Sequence, residues 1–207
     1  RDARGLALAA YIVSCSSQTI VYKGLLLAPQ LSTFYDDLRD PDYAPHLVIF
    51  HQRYSTNTLP SWHRAQPFRV LCHNGEINTI QGNIAWMAAR EANLKYESPD
   101  FHLRSDDLAP VIDLDGSDTA MLDNTAELLT RGGRDIRHTM AMLMPTAWEK
   151  DSGMPPRVRD FYRYHAALME PWDGPAAIVF SDGRIIGACL DRNGLRPFRY
   201  FVCKDGT

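Results

Sequence analysis

Apolar and polar positions along the chain separate two strand-rich ends from a helical middle. Tyr11–Val13 and Thr19–Tyr22 are β-branched and aromatic runs on either side of Ser14-Cys15-Ser16-Ser17, which predicts a hairpin within residues 6–27. Gly24 and Pro29 punctuate its exit. Residues 30–38 place Leu31, Phe34, Tyr35 and Leu38 on one helical face. Leu47–Phe50 is a continuous apolar run and predicts a buried strand. A structured loop over 54–67 leads to a second strand, Phe68–Cys72. Residues 78–94 carry an apolar stripe (Ile80, Ile84, Met87, Ala88, Leu94) at helical period, with Asn78 or Thr79 as N-cap.

After an irregular stretch over 95–116, Ser117 caps a helix over 118–130 that ends at Arg131-Gly132-Gly133. Helices follow at Ile136–Met144 and Val158–Met169. Strands return at Pro175–Phe180 and Ile185–Leu190, joined by Ser181-Asp182-Gly183-Arg184, and at Phe198–Cys203. Strands, then helices, then strands imply an α+β fold with the helices gathered on sheet faces.

Composition narrows the function classes. The 207 residues suit one domain or a large piece of one, residues 1–207 forming a single unit. A net charge of −3 with interspersed signs offers no basic stripe for nucleic acid, and no apolar run is long enough to span a membrane. The four cysteines, Cys15, Cys72, Cys189 and Cys203, include no Cys-x-x-Cys and lie far apart, which points to free thiols in a reducing compartment. His46, His51, His63 and His73 cluster in sequence without the spacing of a zinc site. Cys72 and His73, adjacent on a strand, face opposite sides and cannot form a dyad.

The chemistry concentrates in residues 46–83. Arg53 follows an apolar run and precedes Tyr54-Ser55-Thr56-Asn57. Its planar fork can grip a carboxylate, with Thr56 and Asn57 adding neutral hydrogen bonds; a local pairing with a loop Asp or carbonyl is the alternative. Asn74-Gly75 reads first as a hairpin turn, but the residues after it do not alternate and run into a helix. A strand–Asn-Gly–helix corner leaves the Gly75 N–H and the Asn74 side-chain amide free, two donors suited to a tetrahedral oxyanion. Asp118, in a first helical turn, complements the helix dipole or salt-links an amino acid's α-ammonium.

Several ordered motifs resemble one family. Phe50–Thr58, Cys72–Thr79, Ser117-Asp118-Thr119 and Leu190–Pro197 are similar to the glutaminase (class II glutamine amidotransferase) domain of glutamate synthase large subunits. The resemblance implies an N-terminal nucleophile fold, a four-layer αββα sandwich of antiparallel sheets, incomplete in this chain at its N-terminal side. It implies hydrolysis of L-glutamine to glutamate and ammonia, with reductive transfer to 2-oxoglutarate. Arg53 would hold the α-carboxylate with Thr56 and Asn57 beside it, Asp118 the α-ammonium, and Asn74 and Gly75 the oxyanion.

The family also implies FMN and an iron–sulfur cluster in downstream synthase domains of the same chain, a small reductase subunit or ferredoxin as partner, and a cytoplasmic or plastid-stromal location. Its nucleophile is an N-terminal Cys, whereas this chain begins Arg1-Asp2. The expectation is a fragment that forms much of the glutamine pocket with the nucleophile outside it. Other class II amidotransferases and a nucleophile-free glutamine-binding or interaction module are the alternatives.

Overall fold

A computed structural model describes residues 11–54, 59–97 and 102–204. Its elements in chain order are α1 (Leu31–Phe34), β1 (Leu71–Gly75), α2 (Ile80–Glu91), β2 (Tyr96–Glu97), β3 (His102–Leu103), α3 (Ser105–Leu108), α4 (Asp118–Arg131), α5 (Ile136–Leu143), α6 (Pro156–Ala166), β4 (Ala176–Ser181) and β5 (Ile186–Leu190). The class is α+β, as the pattern implied. The main sheet is antiparallel with strand order β1-β4-β5, and β2 and β3 form a separate two-stranded ladder. Gly75 pairs with Ala176 and Asn74 with Ala177, so the end of β1 lies beside the start of β4.

The sheet buries one face. Leu71, His73, Ala176, Ile178 and Phe180 share it by register and are all buried. Leu122 and Ala126 of α4 and Ile136, Met140 and Leu143 of α5 complete this core. The opposite face is thinly covered: Ile186 and Leu190 remain exposed. The helical middle follows its periodicity because each helix has one apolar stripe to bury. Ser117 caps α4 as expected, its hydroxyl accepting from the Ala120 N–H at 3.2 Å.

β1 does not begin where expected. The predicted strand Phe68–Cys72 shifts to Leu71–Gly75 because the N–H groups of Arg69, Val70 and Leu71 converge on the Asp123 carboxylate at 3.1, 2.9 and 3.0 Å. Successive amides of a strand point in opposite directions, so three in a row on one acceptor exclude an extended chain there. Asn74-Gly75 therefore closes the strand rather than following it. Thr79 precedes α2 without capping it, since its hydroxyl donates to Asn83 Oδ1 at 2.7 Å and accepts from the Asp173 N–H. The Asn78 N–H donates to the Asp173 carbonyl.

Other predicted elements give way to irregular chain. Residues 11–27 form no strand, and Ser14 and Ser16 hydroxyls accept N–H groups that a ladder would use. The helix over 30–38 breaks at Tyr35, which is extended (φ −111°, ψ 103°) and donates its hydroxyl to the Lys23 carbonyl at 2.6 Å. Leu47–Phe50 and Phe198–Cys203 have no neighbouring strand among the described residues, and Phe50 and Phe201 are more than three-quarters exposed. An apolar run becomes a buried strand only when another strand accepts its backbone.

The Asp123 carboxylate is the joint between α4 and β1, and it is buried. Asp123→Asn puts an amide N–H where one backbone N–H must be accepted, and should cost about 1–3 kcal/mol; Asp123→Ala should cost more. Denaturant titration of the three proteins reads this directly. Equal midpoints would mean that the joint contributes nothing.

Candidate active site

β1 is an edge strand, and the fate of its outward amides defines the site. Glu76 donates to the Pro175 carbonyl and Ser181 to the Val70 carbonyl, so even-numbered residues of β1 point their N–H groups at β4. The odd-numbered amides point away from the sheet. Leu71 donates to Asp123. The His73 N–H donates to Gln66 Oε1 at 2.7 Å, and Gln66 Nε2 donates back to the His73 carbonyl at 3.1 Å. The Gln66 side chain thus stands in for one residue of a neighbouring strand. Beyond the strand end, the Ile77 N–H donates to Asp118 Oδ2 at 2.7 Å. Between these filled positions, the Gly75 N–H has no partner among the described residues.

The backbone at that amide is tightly prescribed. Gly75 has φ +150°, and a Cβ there would lie 1.7 Å from the Pro175 carbonyl oxygen. Facing it, Gly174 (φ +156°) has the Glu76 carbonyl 2.0 Å from where a Cβ would be. Two glycines let the chains cross closely enough to end the sheet and turn β1 toward α2. Asn74, next to this amide, is exposed, and its side chain makes no hydrogen bond among the described residues. Among the described residues, neither the Gly75 N–H nor the Asn74 side chain is hydrogen-bonded.

Asp118 is the first residue of α4, partly buried. Its Oδ1 accepts from the Thr119 N–H at 2.8 Å and the Thr119 hydroxyl at 3.2 Å. With Ile77 on Oδ2, both oxygens are oriented; Oδ1 already accepts twice, and Oδ2 retains one lone pair. The Thr119 hydroxyl also contacts His73 Nδ1. His73 and Thr119 are the site residues that motif reasoning missed. The Asp-Thr pair opening a helix was the available signal, but nothing in sequence says which strand side chain will reach it.

Arg53 is exposed, and its guanidinium has neither a carboxylate nor a carbonyl partner among the described residues. The local pairing considered from sequence is therefore not seen there. His51, two residues earlier, has main-chain groups of both Arg53 and His73 within reach of its ring, which brings the Arg53 segment to the same end of β1. Thr56 and Asn57 lie outside the described residues.

Electrostatics set the protonation of this cluster. Burial pushes the His73 imidazole down to about 4, opposed by the Asp118 carboxylate and assisted by His51 and the Arg196 guanidinium. Burial also lowers His51, against the main-chain groups it meets. Burial raises the Cys72 thiol to about 11 and the Cys189 thiol to about 12, so neither is a thiolate near neutrality. Among the described residues, no group of three or more His, Cys, Asp or Glu side chains could hold a metal ion, and no helix is long and apolar enough to cross a membrane.

The Ile77 amide ties the Asn74-Gly75 corner of β1 to the Asp118 carboxylate at the start of α4. A model of the glutamine amidotransferases class-II matches residues 3–207. The chain belongs to this family. Among curated relatives of this class II amidotransferase chain, the glutamate synthase [NADPH] large chain of Bacillus subtilis is 52% identical over 195 residues, covering 94% of this chain and 13% of the relative. Ferredoxin-dependent glutamate synthase 2, chloroplastic, of Arabidopsis thaliana is 51% identical over 200 residues, covering 95% of this chain and 12% of the relative. The glutamate synthase [NADPH] large chain of Azospirillum brasilense is 47% identical over 196 residues, covering 95% of this chain and 13% of the relative. The class II amidotransferase chain thus spans about an eighth of the length of these relatives.

His73 yields a pH dependence whose sign is defined. Its folded pKa lies below the unfolded value near 6.5, so its contribution is complete above about 6.5 and is lost as pH falls toward 4. Between pH 7 and 4, the stability difference between the protein and His73→Asn should shrink by about 2–3 kcal/mol. Denaturant unfolding at a series of pH values measures it; a difference independent of pH would show that His73 is not held neutral. Gly75→Ala, forced against the Pro175 carbonyl, should destabilise by about 1–3 kcal/mol in the same assay, and an unchanged midpoint would contradict the close crossing.

Proposed function

We propose that this chain forms the glutamine pocket of a glutamate synthase and supports hydrolysis of L-glutamine to glutamate and ammonia. The observation that carries this reading is an open amide in the odd-numbered row of β1. Among the described residues, the Gly75 N–H has no partner and the Asn74 side chain beside it makes no hydrogen bond, while the amides on either side along the row are filled. A half-buried donor left open in an otherwise completed row favours a ligand oxygen.

In this reading Arg53 takes the α-carboxylate through its fork, and Thr56 and Asn57 complete that end. Asp118 takes the α-ammonium on the Oδ2 lone pair that Ile77 leaves free. The side-chain carboxamide then extends toward the end of β1. When a thiolate adds to the amide carbon, its carbonyl oxygen becomes an oxyanion, to which the Asn74 amide and the Gly75 N–H donate from positions already set. The orientation of the Gly75 N–H is fixed by the sheet and by the Gly75–Gly174 crossing, so this donor needs no reorganisation as charge develops.

The protonated, buried thiols of Cys72 and Cys189 argue against either as the attacking group, and we assign the nucleophile to a cysteine outside these residues. Ammonia transfer to 2-oxoglutarate, the FMN and iron–sulfur cluster, and the electron donor, whether ferredoxin or a reductase subunit, belong to other parts of the synthase. The bacterial and chloroplastic relatives agree with a cytoplasmic or stromal setting.

The test uses the full-length protein with glutamine and a non-hydrolysed analogue. Asp118→Asn should weaken analogue binding by calorimetry more than tenfold, about 1.4 kcal/mol or more. Asn74→Ala should lower kcat by about 100-fold or more with a smaller change in KM. Unchanged affinity would remove Asp118 from the pocket, and an effect confined to KM would make Asn74 a ground-state contact.

A further inference from the structure

The Thr119 hydroxyl has one proton and two acceptors in reach, Asp118 Oδ1 and His73 Nδ1. His73 is 3% exposed, and its Nε2 has no hydrogen-bond partner among the described residues. Two arrangements are possible for the neutral ring. If Nδ1 is bare, Thr119 donates to it, Asp118 loses the hydroxyl, and Nε2–H becomes a buried donor without an acceptor. If Nδ1 carries the proton, it donates to the Thr119 oxygen, Thr119 donates to Asp118, and Nε2 is a bare lone pair. Orphaned buried N–H donors are the rarer and costlier defect. The nearby Asp118 carboxylate also favours a ring N–H on its side. The second arrangement therefore holds.

We propose that Thr119, oriented by the Nδ1–H of His73, is a positioning residue for the Asp118 carboxylate and so a determinant of selectivity for substrates with an α-ammonium group. The directed chain His73 Nδ1–H to Thr119 O–H to Asp118 Oδ1 fixes the rotation of a carboxylate that otherwise receives only backbone donors. It leaves one Oδ2 lone pair of Asp118 to accept from an ammonium group. Three charged or titratable groups surround the ring: Asp118 on α4, His51 in the segment leading to Arg53, and Arg196 in the turn after β5. That turn is itself tied down by Asp191, whose carboxylate accepts the N–H groups of Asn193, Leu195 and Arg196. This inference rests on the reading of Asp118 as the ammonium-binding group.

The experiment compares Thr119→Val and Thr119→Ser in the full-length protein. Valine keeps the shape and removes the hydroxyl; serine restores the hydroxyl. The readout is the ratio of kcat/KM for L-glutamine over glutaramic acid, which has the same amide and carboxylate without the α-ammonium. Thr119→Val should lower this ratio about tenfold, mainly through the glutamine KM, and Thr119→Ser should return it to within about twofold. A purely structural role would reduce both substrates together and leave the ratio in place, which overturns the proposal. Asp118→Asn in parallel separates the two levels of inference. If it collapses the ratio and Thr119→Val does not, the positioning role is wrong and the pocket stands. If Asp118→Asn leaves the ratio unchanged, the ammonium assignment itself has failed, and the positioning role of Thr119 falls with it. Thermal melting of each variant identifies any that do not fold, in which case glutamine-analogue affinity of the Thr119→Ser protein decides: a loss above about tenfold with the hydroxyl present would contradict the proposal.

Discussion

The hydrogen-bonding of one strand edge governs this molecule. β1 has β4 on one side and no strand on the other among the described residues, so its outward amides must be satisfied by side chains. Helix α4 supplies two of the answers with carboxylates spaced five residues apart, Asp123 against residues 69–71 and Asp118 against Ile77. Gln66 supplies a third. These contacts seat α4 on the sheet, orient the edge, and leave the Gly75 amide uncommitted among the described residues. An edge is normally a hazard that proteins cover; among the described residues it is covered with a gap at Gly75.

That gap joins stability to chemistry. The same crossing that demands glycine at positions 75 and 174 holds the Gly75 N–H still and aims it away from the sheet. The carboxylate that caps Ile77 keeps a lone pair on Oδ2, so the group that terminates the edge can still accept a hydrogen bond. Preorganisation in this site is a by-product of finishing the sheet, and donors fixed by main-chain geometry are the ones worth most to a developing charge. Burial contributes by keeping His73 neutral, which lets a single hydroxyl link the strand to the helix without an added cation beside Arg196.

Much of this was legible in the residues. Helical period placed α2, α4, α5 and α6 within a few residues because each has an apolar stripe and a recognisable stop. Arg53, Asn74, Gly75 and Asp118 stood out because their types suit the ends of an amino acid amide. The outer strands were not legible: Leu47–Phe50 and Phe198–Cys203 have strand-like composition, yet a strand needs a partner, and composition cannot supply one. The start of β1 was misplaced because a buried Asp more than fifty residues away captures three successive amides.

By itself, then, the sequence determined the α+β class, the helical layer and the family, all of which depend on local pattern and residue type. Tertiary structure alone decided which N–H of β1 remains open, how Asp118 is rotated, and that His73 and Thr119 take part. Those outcomes depend on register and on contacts between residues 46 and 94 positions apart. Hydrogen-bond direction along an edge is a property of pairing, and no reading of single positions contains it.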